Sequence, residues 1–168
     1  MKPPAAGYAR MPLLVDVVRE GHDWAPSGAE IRTWANAALG RRAAGAELAV
    51  RVVRPAESQR LNARYRGRNK PTNVLSFPVS ALPATAPGPQ VAPRPLGDLV
   101  ICASVVRDEA RRQHKAIKAH WAHLVIHGAL HLLGYDHERD EEARRMERRE
   151  VAVLKSFGIT NPYRSLSV

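Results

Sequence analysis

Cysteine is nearly absent from this chain of 168 residues, because Cys102 is its only thiol. An intrachain disulfide is therefore excluded, which fits a reducing compartment. The sequence also lacks any apolar run near the roughly 20 residues that a membrane span needs. Residues 1–10 lack the apolar core of a signal peptide. We therefore expect a cytoplasmic protein that makes no membrane contact.

Acidic residues are too few to balance the basic ones. The chain has 26 Lys and Arg residues against 16 Asp and Glu, which gives a net charge of +10. Such a surface attracts polyanions, of which nucleic acid is the most common. A genome composition that favours arginine codons would give the same net charge. Residues 54–70 hold six basic residues and one acid, a local charge of +5 and half of the net charge. This concentration favours phosphate binding by that segment.

One domain over residues 1–168 is expected from the length and the hydrophobic content of 45%. Residues 81–95 form a proline-rich stretch that we interpret as a loop inserted between two strands. Proline lacks the N–H that a sheet ladder requires, so we expect this stretch to stay unpaired.

The spacing of apolar residues predicts both strands and helices, which gives an α+β fold. The predicted strands are 11–18, 47–53, 74–77 and 96–102. Ser27 and Ser104 are candidate N-caps. The last helix mixes charges of both signs up to Glu150, which predicts a solvated face. The predicted helices are 26–39, 56–65, 104–114, 117–133 and 138–157.

Three histidines fall within eleven consecutive residues, His127-Gly-Ala-Leu-His131-Leu-Leu-Gly-Tyr-Asp-His137. In a helix, His127 and His131 lie on one face, one turn apart. Gly134 can end that helix in a left-handed cap, after which His137 can return to the same point. Three neutral imidazoles suit zinc, with other divalent metals as alternatives. Three protein ligands and one open position are typical of catalytic zinc.

The remaining histidines are weaker candidates. An HxxxH pair often only fills space, and His123 lies four residues before His127. His123 and His131 lie about 12 Å apart along a helix, so they cannot share an ion. We expect His123 to pack beside the site, Cys102 to lie in a strand core, and three histidines to lie at the surface: His22, His114 and His120.

Gly128 stands where zinc peptidases carry the glutamate that acts as general base. Glycine cannot move a proton, which disfavours peptide hydrolysis by that mechanism. The nucleophile would then be water activated by the metal or the 2′-hydroxyl of RNA. The small residue can also let substrate or another backbone approach closely.

The His127–His137 stretch resembles the signature of the YbeY family of bacterial endoribonucleases, which are rRNA maturation factors. A second block, residues 61–78, matches the family's Leu-Asn, Tyr-Arg and Pro-Thr-Asn-Val-Leu-Ser-Phe-Pro elements. The Gly-Asp-Leu at 97–99 also matches, so the resemblance covers roughly residues 56–140 apart from the proline-rich loop. It implies a small mixed sheet of about four strands, packed with helices, and a central helix that carries the three-histidine site. It also implies a zinc-dependent, single-strand-specific endoribonuclease that acts in 16S rRNA 3′-end maturation and ribosome quality control.

The resemblance also assigns roles to residues. It implies that His127, His131 and His137 hold the metal and take part in catalysis. Arg66 would be a catalytic group that stabilises charge on the phosphate, a choice over Arg64 or Arg68 that composition alone does not make. The expected partners are single-stranded RNA or rRNA and the ribosome or small-subunit proteins, with no DNA.

Several smaller assignments and two alternatives stay open. Asp136 either orients a ligand imidazole or caps the turn, and we favour the turn. Asn73 and Ser76 are candidates to line the groove. One alternative is a metallohydrolase of another substrate. The other is a non-catalytic RNA-binding or ribosome-binding protein with a structural metal.

Overall fold

The structure, a computed structural model, describes residues 11–79 and 93–164. Most of the predicted loop at 81–95 lies outside these residues. The described chain forms four strands: β1 (Leu14–Arg19), β2 (Ala46–Val53), β3 (Val74–Pro78) and β4 (Arg94–Cys102). It forms five α-helices: α1 (Gly28–Leu39), α2 (Pro55–Arg66), α3 (Ala103–Arg112), α4 (Ile117–Leu132) and α5 (Asp140–Ser156).

The sheet has the strand order β1-β2-β4-β3. β1 pairs with β2 and β2 with β4 in parallel, whereas β3 runs antiparallel to β4. The larger apolar core joins this sheet to residues of α1, α3, α4 and α5. A smaller core includes Leu61 of α2 with Val53, Leu75 and Val100 of the strands. The predicted α+β class with a four-stranded mixed sheet is confirmed.

β4 begins two residues earlier than predicted. Arg94 pairs with Ala46 and Pro95 with Glu47, so the end of the predicted proline-rich loop lies in the sheet. The pairing shifts register between Glu47 and Leu48. A proline is tolerated near the start of a strand and beside such an irregularity, because no regular ladder bond depends on its missing N–H. The prediction that this stretch stays unpaired was wrong for these two residues.

The helix starts confirm one predicted cap and correct the other. Ser27 caps α1, and its side chain and that of Glu30 satisfy each other's backbone N–H in a capping box. Ser104, in contrast, lies inside α3, whose N-cap is Cys102. β4 runs directly into α3 with no linker, so the cap falls on the last residue of the strand. The Cys102 thiol is buried and lies 3.4 Å from the Ser104 hydroxyl.

α4 is the central helix, and its residues are buried on several sides. Trp121, Val125, Ile126 and Leu130 each have 0% exposure. The helix also packs closely on the sheet at Gly128, where an added Cβ would lie 2.7 Å from Leu99 Cδ2. The sheet therefore fills the space beside this glycine.

His120 was predicted at the surface, and that prediction was wrong. Its exposure is only 4%. The ring lies on the first turns of α4, with its Nε2 3.5 Å from Glu109 Oε1 of α3. α4 packs against both α3 and the sheet, so this polar residue of its first turns is covered. No helix in the described residues is both long and apolar enough to span a membrane.

Candidate metal centre

The end of α4 and the turn after it bring the three histidines together. His127 and His131 lie one turn apart near the C-terminal end of the helix. Gly134 then adopts a positive φ of 95°, as the sequence predicts for the turn. The side chain of Asp136 accepts a hydrogen bond of 2.6 Å from the backbone N–H of His137. Asp136 thus acts in the turn, which places His137 opposite the helix.

The three rings offer nitrogen atoms at the spacing of ligands around one ion. One nitrogen from each of His127, His131 and His137 lies within 4.8 Å of the other two. The Nε2 atoms of His127 and His131 are 3.1 Å apart. Two ligands of a tetrahedral zinc lie about 3.3 Å apart when each Zn–N bond is 2.0–2.1 Å. The separation therefore fits a shared divalent ion.

Hydrogen bonds to the Nδ1 atoms of His127 and His131 determine which ring nitrogen is available to the shared ion. His131 Nδ1 lies 2.9 Å from the backbone oxygen of Tyr135, which can only accept, so this nitrogen carries the proton. His127 Nδ1 lies 2.6 Å from Glu150 Oε1 and donates in the same way. Both Nε2 atoms are then unprotonated, and their lone pairs face each other. Such an arrangement is repulsive unless a cation lies between them, so the donor set fits zinc or a similar ion.

The charge state of His131 agrees with a ligand role. Burial is the largest cause that lowers the pKa of His131, and the neighbouring His127, His137 and Arg66 also disfavour its charged form, so that the pKa falls to about 4. The ring is therefore neutral near pH 7, and a metal need not displace a proton from it.

Glu150 is the site residue that the sequence interpretation missed. It was placed on a solvated face of the last helix, but its exposure is 0%. Burial would raise the pKa of Glu150, yet hydrogen bonds from His123 and His127 lower it to about 2. One signal was available: Glu150 lies four residues after Met146 and four before Leu154, and both are buried.

The histidines open into a cavity of about 270 Å³. Arg66, Asn73 and Ser76 line it, whereas Arg64 lies over the Tyr65 ring at 5.4 Å. The structure thus separates Arg66 from Arg64, which the sequence could not do. The remaining lining residues are Val74, His123, Leu124, His127, His131, His137 and Tyr163.

His123 lies beside the three-histidine cluster, as predicted, and its Nε2 is 2.9 Å from Glu150 Oε2. Cys102 lies in the smaller core and does not line the cavity. It is a strand-core residue, as expected from the sequence.

The fold and site together define a class: an α+β protein with a mixed sheet and a three-histidine candidate metal site at the end of its central helix. A family model described as endoribonuclease YbeY matches residues 23–158. The chain therefore belongs to the YbeY endoribonuclease family, which implies an RNA substrate and a role in rRNA processing. The solution structure of TM1509 from Thermotoga maritima has a similar fold. It is 22% identical, covers 90% of this chain and 100% of its own, and superposes with a TM-score of 0.53.

Proposed function

We propose that this protein is a zinc-dependent endoribonuclease that cuts single-stranded RNA and acts in 16S rRNA 3′-end maturation. One observation supports this most directly: three imidazole nitrogens and the Arg66 guanidinium face the same cavity. His127, His131 and His137 would hold the ion. When bound, such an ion supplies Lewis-acid chemistry at a phosphoryl oxygen and lowers the pKa of water.

The protein's own groups would handle the phosphate. A guanidinium stays charged and can bind two phosphate oxygens at once, so Arg66 would bind the scissile phosphate and stabilise its growing negative charge. Asn73 and Ser76 offer neutral hydrogen-bonding groups on the cavity wall. These residues can orient the ribose and phosphate without repelling them.

The charge of the cavity lining supports an anionic substrate. Among the described residues that line it, none carries a carboxylate side chain. Gly128 likewise provides no general base at the position where zinc peptidases carry one. This lining favours a phosphodiester over a peptide. The basic segment 54–70, with its local charge of +5, ends beside the same cavity. A cytoplasmic location and a ribosomal or small-subunit partner belong to the same proposal.

Cleavage of labelled single-stranded RNA by the zinc-loaded wild-type protein would test this function. His131→Ala, prepared identically, should lose both zinc and cleavage. His114→Ala is a matched control, because His114 is exposed and does not line the cavity. It should behave as wild type. Duplex RNA and single-stranded DNA should remain intact.

Three results would contradict the proposal. Equal cleavage by wild type and His131→Ala would show that the cleavage does not depend on the three-histidine site. Cleavage of a small phosphoester with RNA left intact would favour a different metallohydrolase. RNA binding without cleavage, on naked RNA and on small subunits alike, would favour a non-catalytic binding protein.

A further inference from the structure

Glu150 is a fully buried carboxylate that the proposed cleavage chemistry does not use. Its exposure is 0%, and it does not line the cavity. Burying an ionised carboxylate costs several kcal/mol unless hydrogen bonds compensate. Here three side chains donate to it: His127 to Oε1, and His123 and Tyr163 to Oε2. Because both carboxylate oxygens have hydrogen-bond donors, Glu150 is held in one orientation beside the histidines.

We propose that Glu150 is a positioning residue that fixes the ring orientation and tautomer of His127 and thereby sets the metal affinity of the site. The inference rests on the proposed ligand role of His127 but does not depend on RNA cleavage.

The contact geometry distinguishes this role from that of a second metal ligand. His123, His127 and Glu150 also bring their ligand atoms within 4.8 Å of one another. However, His127 Nδ1 and Glu150 Oε1 are only 2.6 Å apart. Two ligands of one zinc would lie about 3.3 Å apart. A proton fits this gap, and an ion does not.

A shared proton has a direct consequence for His127. A neutral imidazole can carry its proton on either nitrogen, and only the Nδ1–H form offers a lone pair at Nε2. The carboxylate selects that form and makes Nε2 a stronger donor to metal. In His131, the backbone oxygen of Tyr135 selects the same Nδ1–H tautomer by accepting a hydrogen bond of 2.9 Å. The partner of His127 is instead the side chain of Glu150, so one substitution can change how strongly His127 binds a metal.

The other carboxylate oxygen is held from two sides. His123 Nε2 lies 2.9 Å from Oε2, and the Tyr163 hydroxyl donates to the same oxygen. These contacts prevent the carboxylate from rotating away from His127. Glu147→Gln is a matched control, because it makes the same change at an exposed residue of α5 that does not line the cavity.

Metal affinity measured by competition with a chromophoric chelator, for zinc and for cobalt, would test this role. Glu150→Gln should bind about 10–100-fold more weakly than wild type and shift the cobalt absorption bands. Glu147→Gln should stay within about threefold of wild type. A Glu150→Gln protein with wild-type affinity and an unchanged cobalt spectrum would overturn the proposal. A purely structural role would lower only the stability of the metal-free variant to urea.

A second measurement needs no variant and so does not depend on whether Glu150→Gln folds. Nitrogen-15 NMR of the histidine rings in zinc-loaded wild type should show a proton on Nδ1 of His127. A proton on Nε2, or metal on Nδ1, would refute the inference. Zinc retained by His131→Ala would instead refute the ligand set of the proposed function. The two failures are therefore distinguishable.

Discussion

Arg64 and Arg66 show how a separation of two residues changes the environment of an arginine. Both lie in the last turn of α2. Positions two apart on a helix do not share a face. Arg66 accordingly lines the cavity, while Arg64 lies over the Tyr65 ring. The two residues form a natural pair for comparison.

Arg66→Ala should keep zinc and fold but lower kcat/KM for RNA cleavage by at least about 100-fold. The reason is that the variant removes a charge-stabilising contact to the phosphate. Arg64→Ala is the control and should stay within about threefold of wild type. Single-turnover cleavage assays on zinc-loaded proteins would measure both. Wild-type activity in Arg66→Ala would remove this residue from the mechanism.

Glu109 is a partly buried acid whose charge matters, away from the metal ligands. Burial would raise its pKa, but His120 and the Asn73 amide outweigh that effect and hold the pKa below the ordinary 4.5. A lowered pKa means that the unfolded chain binds more protons below about pH 4.5. The stabilisation is thus present above that pH and is lost as the pH falls.

Glu109→Gln should lower the free energy of unfolding by about 1–2 kcal/mol at pH 7. The difference from wild type should shrink as the pH falls below 4.5, because the wild-type carboxyl then protonates as well. Urea titrations of the metal-free proteins from pH 3 to pH 7 would measure this. A difference that grows towards acid pH would contradict the assigned direction.

At the scale of elements, α4 is held close to the sheet at Gly128. A methyl group there would meet Leu99 Cδ2 at 2.7 Å and the Ser76 hydroxyl at 3.3 Å. Leu99 has 0% exposure, and a side chain in a close-packed interior moves only by displacing its neighbours. The helix that presents His127 and His131 therefore depends on this contact for its position.

Gly128→Ala should destabilise the protein by about 1–2 kcal/mol. Overpacking a core costs about 1–3 kcal/mol, and alanine returns up to about 1 kcal/mol of helix propensity. Adding Leu99→Val should recover part of the loss, with a coupling of at least about 0.5 kcal/mol in a double-mutant cycle. Chemical denaturation of the four proteins would test this. Strict additivity would show that Leu99 is not the limiting neighbour.

Metal removal should leave the fold largely intact. The three candidate ligands lie within eleven residues at one end of α4, whereas the larger core spans all of the sheet and four helices. We expect a chelator to leave the circular dichroism spectrum nearly unchanged and to lower Tm in proportion to the logarithm of free zinc. Complete unfolding by the chelator would instead favour a structural metal.

The elements also show what a sequence alone can predict. The Ser27 cap, the spacing of His127 and His131 and the strand patterns are local, so their signals lie within a few residues. The burial of Glu150 and His120 depends on which helices cover α4, which is a property of the assembled layers. Pro95 pairs in the sheet beside a register shift near Glu47, a residue almost fifty positions away. Such long-range effects give no signal in the neighbouring sequence.

At the scale of the whole molecule, the net charge of +10 acts on RNA before any specific contact forms. Some of the basic residues behind this total are paired with acids within the fold. Lys118, for example, forms an ion pair with Glu30, and Arg60 pairs with Glu57. Salt dependence can therefore separate free cations from paired ones.

RNA affinity should fall linearly with the logarithm of salt concentration, with a slope of about −0.7 for each phosphate contact. Arg66→Ala should make this slope less negative by about 0.7. Lys118→Ala, which removes a paired cation, should leave the slope unchanged. Fluorescence anisotropy with a non-cleavable RNA analogue between 50 mM and 300 mM salt would measure both. Equal slopes in all three proteins would exclude phosphate binding by Arg66.

The position of Glu150 in the chain has a consequence for biosynthesis. The three candidate ligands are translated by residue 137, but the carboxylate behind His127 follows thirteen residues later, and Tyr163 later still. A nascent chain therefore contains all three candidate ligands before it can orient the His127 ring. On this ordering, tight metal capture would wait for α5 to dock, so acquisition of the cofactor would report that synthesis and folding of the C-terminal helix are complete.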